Sequence, residues 1–182
     1  MSLHGITHKE IIDWIRELGV KNGITKPYRY QMHYELPYHP ITDDYIFYLE
    51  NKQRLSEIMH YRIMAHLALE DVLQNMKPHS EIRVWPHHFD IASIYSFNKS
   101  KNHTIGLGMA IPDEISPEFY FYAKGYAGEQ HLDISEVSKL QYGRWDRNFN
   151  GAVMQLGDNT TLKMANRFFN QAVHILKNEA RI

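Results

Sequence analysis

The sequence contains no cysteine among its 182 residues. Disulfides, thiolate metal sites and cysteine nucleophiles are therefore excluded. An excess of charge of one sign is also lacking, since 20 Lys and Arg residues face 21 Asp and Glu residues and the net charge is -1. This balance provides no basic surface for nucleic acid or for an anionic membrane, so we expect neither as a partner.

The chain has no long apolar run. No stretch reaches the roughly 20 apolar residues that a membrane span needs, and the polar segment from Met1 to Trp14 does not resemble a signal peptide. We therefore predict a cytoplasmic protein. Its length suits a single domain over residues 1–182, because a chain of this size buries enough surface to fold without a covalent staple.

Apolar spacing and capping residues predict helices before and after a central β region. These helices are expected over residues 7–19, over residues 42–76 with a break near Asn51, and over residues 159–178. The apolar period changes to two at Glu81, which predicts a strand over residues 81–97, with a bend at Pro86, and further strands over 104–111, 118–124 and 149–156. A short helix at 133–136 and a strand at 28–36 are also expected. Helices, then strands, then a helix favour an α+β fold, with an antiparallel meander from residue 81 to 124.

The predicted strand over residues 81–97 carries the strongest candidates for chemistry. Residues two apart share one face of a strand, so His88 and Asp90 are expected to be neighbours. A carboxylate beside an imidazole fixes its tautomer and raises its basicity, which makes His88 the candidate general base and Asp90 its orienting residue. A buried His–Asp pair that only holds the strand in register is the alternative. Ser93 alternates to the other face and is not expected to be a nucleophile.

The next two predicted strands suggest a pocket beside this pair. Gly106 and Gly108 leave one face of residues 104–111 almost without side chains, which is typical of close approach by a ligand or by another backbone. Glu118, Tyr120 and Tyr122 share one face of the following strand. Tyrosine suits a binding site because it offers a large ring and one hydroxyl. A helix packed on the glycines and a solvated outer face with paired tyrosines are the alternatives.

Three further residues complete the predicted ligand-binding set. Arg144 and Trp145 follow a glycine in a predicted loop, where the guanidinium suits an anionic group and the indole would act as a lid. A surface loop anchored by Trp145 is the alternative. His87 alternates to the face opposite His88, and a structural role is the alternative for it. We expect no metal, because a zinc site usually has three protein ligands and this strand supplies two on one face. No motif identifies a cofactor.

The run WPHHFD at residues 85–90 and the run TIGLG at 104–108 resemble a bacterial family of domains of unknown function. In that family a WPHHFD strand precedes a glycine-rich strand, a Gly-Asp-Glu turn and a Glu-Pro-Tyr-x-Tyr strand, with Gly-x-Trp and Gly-Ala-Val elements further on. This chain has PDE at 112–114, PEFYFY at 117–122, GRW at 143–145 and GAV at 151–153. Pro112 stands where the family turn has glycine, and the Glu-Pro order is changed at Pro117 and Glu118. The resemblance covers residues 81–156 and implies a shared site, not a known reaction.

These observations predict a protein that binds a small molecule in a pocket over the sheet, next to His88 and Asp90. Whether it is an enzyme stays open. The alternative is a non-catalytic structural or interaction protein, in which His88 and Asp90 form a buried pair. In that alternative, the helix over 42–76 or the helix over 159–178 forms the seam of a homodimer.

Overall fold

A computed structural model describes residues 1–29, 31, 41–86 and 88–178 of the chain. The fold is α+β, as the order of the sequence patterns predicts. The chain divides into two compact units, Met1–Leu55 and Ser56–Ile182. In the described part of the chain, no helix is long and apolar enough to cross a membrane.

The first unit contains a two-stranded sheet and a helix. Strand β1 (Ile6–Thr7) pairs antiparallel with β2 (Ile46–Phe47), and helix α1 (His8–Lys21) follows β1 directly. The predicted capping box is confirmed: Glu10 N donates to Thr7 Oγ1 at 3.2 Å, and Thr7 N donates to Glu10 Oε2 at 2.7 Å. Most of the strand predicted over 28–36 lies outside the described residues.

Helix α2 (Lys52–Leu73) is shorter than the helix predicted over 42–76. It begins where a break was expected, because Asn51 Oδ1 accepts hydrogen bonds from Gln53 N at 2.9 Å and Arg54 N at 3.2 Å. These are backbone donors of the first helical turn, which have no partner within the helix itself. Thr42 instead opens a turn, in which Tyr45 N donates to its carbonyl oxygen at 3.1 Å.

The second unit contains a seven-stranded antiparallel sheet. Its order is β3-β4-β5-β6-β9-β8, and the short strand β7 pairs with β6. The strands are β3 (Arg83–Trp85), β4 (Asp90–Asn98), β5 (His103–Ala110), β6 (Tyr120–Ala127), β7 (Gln130–His131), β8 (Arg144–Asp146) and β9 (Gly151–Gln155). The predicted short helix at 133–136 is absent, and Asp133 Oδ1 accepts from Ser135 N at 2.8 Å in a turn.

The register gives the sheet two different faces. One face packs into the main core together with apolar residues of α2 and of helix α3 (Leu162–Asn178). Ile91, Leu107 and Phe121 lie on this core face. The opposite face, called the outer face below, carries Asp90, Gly106, Gly108, Tyr120, Tyr122, Lys124 and Val153. A smaller apolar cluster of Ala110, Tyr120 and Val153 lies there.

Candidate functional site

The run at residues 85–90 forms a hairpin. Trp85 ends β3 and pairs with Asp90, the first residue of β4, so the chain reverses direction between them. Phe89 N donates to the carbonyl oxygen of Trp85 at 2.7 Å, and Phe89 has a positive φ of 58°. The prediction of one strand over 81–97, bent at Pro86, is therefore wrong, because the chain reverses direction between Trp85 and Asp90.

The turn separates the two residues that were expected to be neighbours. His88 lies in the turn and is exposed, whereas Asp90 is half-buried at the start of β4. They do not share a strand face, and an exposed His88 does not fit the alternative of a buried His–Asp pair. The role of His88 as a general base stays a prediction. His87 lies outside the described residues.

Asp90 instead has Tyr122 as its partner on the outer face. The Tyr122 hydroxyl donates to Asp90 Oδ2 at 2.5 Å. Gly108 of β5 pairs with Tyr122 on one side and with Ala92, two residues after Asp90, on the other. The hydrogen bond therefore crosses β5, and the missing side chain at Gly108 leaves room for the phenol ring to do so. Burial, followed by the nearby Asp90 carboxylate, raises the pKa of Tyr122 well above its usual range, so its hydroxyl is a donor.

The second oxygen of Asp90 is an acceptor that the described residues leave unused. The bond from Tyr122 to Oδ2 is the one hydrogen bond that Asp90's side chain makes with the described part of the chain. An ionised carboxylate has roughly four acceptor positions. Asp90 therefore retains hydrogen-bonding capacity at a half-buried position.

A second tyrosine–aspartate pair lies beside the first, and both oxygens of its carboxylate accept hydrogen bonds from the protein. The Tyr120 hydroxyl donates to Asp113 Oδ2 at 2.7 Å, and the rings of Tyr120 and Tyr122 are 6.4 Å apart. Asp113 Oδ1 accepts from the backbone of Ile115 at 2.8 Å and of Ser116 at 3.4 Å. Burial, together with the Asp113 carboxylate, raises the pKa of Tyr120. Both oxygens of Asp113 are thus used within the protein, unlike those of Asp90.

Phe149 and Lys124 add an aromatic and a cationic group to the outer face. Lys124 Nζ lies 4.6 Å from the centre of the Phe149 ring, which also meets the Tyr122 ring edge-on at 6.0 Å. Burial lowers the pKa of Lys124. Sequence reasoning did not select Phe149, the first residue of the strand predicted over 149–156, because its contact with Tyr122 depends on the pairing of β6 with β9. Asp113 was missed because it lies in a loop.

The glycines of β5 allow close approach by the neighbouring strand. A Cβ at Gly108 would lie 2.6 Å from the Cβ of Ala92 and 2.6 Å from the carbonyl oxygen of Ile91. Close approach by a ligand or by another backbone was expected here. At Gly108 the group that approaches is the neighbouring strand β4. At Gly106 a Cβ would lie 3.6 Å from Tyr126 Cε2, which is an ordinary van der Waals distance.

Of the remaining predicted residues, Arg144 shares the outer face, because it pairs with Val153, which in turn pairs with Tyr122. Arg144 and Trp145 belong to β8 rather than to a loop. Trp145 packs against the core, and its Nε1 donates to the carbonyl oxygen of Ser138 at 2.8 Å, so it does not form the expected lid. Arg144 Nη2 lies 3.0 Å from Asp146 Oδ2. Glu118 is half-buried just before β6, and its backbone nitrogen donates to Ser116 Oγ at 3.3 Å.

No group of three or more His, Asp and Glu side chains that could hold a metal ion occurs within residues 1–29, 31, 41–86 and 88–178.

Comparisons of the chain with models of protein families, with curated proteins and with solved structures find no match. The resemblance to the bacterial family with the WPHHFD run stays a prediction.

Proposed function

We propose that the protein binds a small molecule on the outer face of its sheet, with Asp90 and Tyr122 as the polar anchors. The observation that carries the proposal is the half-buried Asp90 carboxylate, which holds Tyr122 with one oxygen and has its other oxygen unused by the described residues. A partly desolvated carboxylate with spare acceptor capacity gains free energy when a ligand donates to it.

The chemistry of the pair selects a ligand with hydrogen-bond donors. A carboxylate accepts from hydroxyl and ammonium groups and repels anions. Trp85 is paired with Asp90 across the hairpin, so both side chains leave the sheet on the same side. An aromatic ring beside a carboxylate suits a hydroxylated ring or an organic cation. We therefore propose a neutral polyol or an organic amine as the class of ligand, and His88 in the adjoining turn as a further contact.

A ligand panel tests this proposal. Differential scanning fluorimetry would be run with neutral sugars, primary amines and quaternary ammonium compounds, and calorimetry would give the Kd of each compound that raises the Tm. We expect Asp90→Asn to weaken binding at least about tenfold, because charge-assisted hydrogen bonds are worth roughly 1.5–3 kcal/mol.

The control is Glu129→Gln, which makes the same change of charge in an exposed turn outside the site. It should bind like the wild-type protein. A panel without any binder would contradict the proposal, and so would a ligand that binds Asp90→Asn and the wild type equally well.

A further inference from the structure

The first half of helix α3 forms one side of a cavity, and the segment just before strand β8 forms the other side. The cavity has a volume of about 560 Å³, which lies within the usual range for small-molecule sites. Its lining residues all belong to the second unit of the chain. They are Gln141, Tyr142, Lys163, Asn166, Arg167 and Asn170. We call this space the α3 cavity.

Hydrogen bonds to α3 hold the segment before β8 in place. Gln171 Nε2 donates to the carbonyl oxygen of Lys139 at 3.1 Å, and Gln171 Oε1 accepts from Gln141 N at 2.8 Å. Arg167 Nε donates to Gln141 Oε1 at 2.9 Å. This wall of the cavity is therefore formed without a ligand, which lowers the entropic cost of binding one.

The bond to Gln141 also orients the guanidinium group of Arg167. It uses Nε, and neither Nη1 nor Nη2 of Arg167 has a partner in the described part of the chain. The N–H groups of these two nitrogens form a planar fork, which suits two oxygens of one phosphate or carboxylate. Arg167 is therefore an anchored cation whose terminal donors are available to a ligand.

Lys163 brings a second positive charge to the same side of α3. It lies four residues before Arg167, so the two side chains are neighbours on the helix surface. Lys163 forms no ion pair with any residue that the structure describes. Two like charges at this spacing destabilise a helix, and a bound anion would reverse that effect.

Acidic groups do not neutralise these two cations. None of the six lining residues is acidic. Asp71 of α2 accepts from Asn170 Nδ2 at 3.0 Å, and within the described residues it forms no ion pair with Lys163 or Arg167. Asn166 lies between the two cations in sequence, and its side-chain amide makes no hydrogen bond with the described residues. The cavity thus offers two unpaired positive charges and an unused amide.

We propose that the α3 cavity binds the phosphate group of a small phosphorylated molecule, with Arg167 and Lys163 as the residues that hold it. A phosphate ester carries roughly 1.5 to 2 negative charges near neutral pH, which matches two cations, whereas one carboxylate carries a single charge. The cavity is larger than a phosphate ion, so the rest of the molecule has room beside the ring of Tyr142, which packs against the core.

A heteronuclear NMR titration at constant ionic strength tests the site with inorganic phosphate, phenyl phosphate and acetate. We expect inorganic phosphate to shift the resonances of the lining residues with a Kd on the order of 1 mM. Phenyl phosphate should bind at least about threefold more tightly, because its ring adds contact with Tyr142. Acetate should bind at least about tenfold more weakly than phosphate, because it carries one charge.

Substitutions separate charge from geometry. Arg167→Gln should weaken phosphate binding at least about tenfold, because it removes charge-assisted hydrogen bonds. Arg167→Lys should weaken it about threefold, because the charge stays and the fork is lost. Lys163→Gln should also weaken it about threefold or more. Lys99→Gln is the matched control, since it removes one positive charge from an exposed turn outside the cavity. Both lining cations are exposed, so the variants should fold, and thermal unfolding checks this.

Inorganic phosphate that causes no saturable shift in the lining residues would overturn the proposal. Acetate that binds as tightly as phosphate would overturn it as well, and so would phenyl phosphate that binds no more tightly than inorganic phosphate. An affinity that Arg167→Gln lowers no more than Lys99→Gln does is the fourth contrary result. Asp90→Asn should leave phosphate binding unchanged, because α3 packs against the core face of the sheet and Asp90 lies on the outer face.

Discussion

The outer face shows how single residues on neighbouring strands depend on one another. Tyr122 reaches Asp90 across β5, and the position between them is Gly108. Gly106, two residues earlier on the same face, has a looser environment, because the nearest atom a Cβ would meet there is Tyr126 Cε2 at 3.6 Å. The two glycines therefore differ in how strictly the structure requires them.

Alanine substitution separates these two positions. We expect Gly108→Ala to lower the free energy of unfolding by about 1–3 kcal/mol, the usual cost of forcing extra volume into a packed site. The Cβ would lie 2.6 Å from the Ile91 carbonyl oxygen, which belongs to the backbone and cannot rotate away. Gly106→Ala should change stability by less than about 1 kcal/mol, since alanine orders a strand at a lower entropic cost than glycine. Urea denaturation of both variants measures the difference, and equal losses would contradict it.

At the scale of elements, the sequence alone predicts those helices and strands whose signals are local. The capping box at Thr7 predicts the start of α1, and alternation predicts β5 and β6. The hairpin between Trp85 and Asp90 was predicted only as a bend at Pro86, because Phe89 occupies the left-handed position where glycine or asparagine would have signalled a turn.

The candidate site was predictable in part, for the same kind of reason. Alternation assigns Tyr120 and Tyr122 to one face without reference to other strands. Placing Trp145 on the core face required the pairing of β8 with β9, which is a contact that no local pattern encodes. The pairing of Tyr122 with Asp90 likewise depends on the register of three strands.

The start of α2 provides a test at this scale. Asn51→Ala removes the side-chain acceptor for two backbone donors of the first turn, so we expect a loss of about 1 kcal/mol in the free energy of unfolding. Asn51→Asp keeps an acceptor oxygen at the same place and adds a negative charge at the helix N-terminus, so it should retain wild-type stability or exceed it. Thermal unfolding of the two variants gives the comparison. A loss in Asn51→Asp as large as that in Asn51→Ala would show that Asn51 does not act as a cap.

At the scale of the whole molecule, the positive and negative charges are nearly balanced, so net charge repulsion does not dominate stability. The pH dependence of stability is therefore expected to come from particular buried groups. The hydroxyls of Tyr120 and Tyr122 are such groups, since each is hydrogen-bonded to a carboxylate and each has a raised pKa. In the unfolded chain both phenols return to their ordinary pKa near 10. Proton binding by these two residues therefore differs between the folded and unfolded states only in alkaline solution.

The sign of the effect follows from this difference. Below pH 10 both states hold the phenol protons, and the contribution of these groups to stability does not change with pH. Above pH 10 the unfolded chain loses the protons while the folded chain keeps them, so the free energy of unfolding falls as the pH rises. The fall is up to about 1.4 kcal/mol per pH unit for each such tyrosine.

We expect two effects of Tyr122→Phe on the free energy of unfolding. At neutral pH the variant is less stable than the wild type, because it lacks the hydrogen bond to Asp90. Between about pH 10 and 11 its free energy of unfolding falls less steeply with pH, by roughly the contribution of one proton. Urea unfolding at a series of pH values measures both slopes, with Tyr48→Phe as the control because that phenol is 61% exposed. An equal change of slope in the two variants would mean that the Tyr122 hydroxyl is not held protonated by burial and by Asp90.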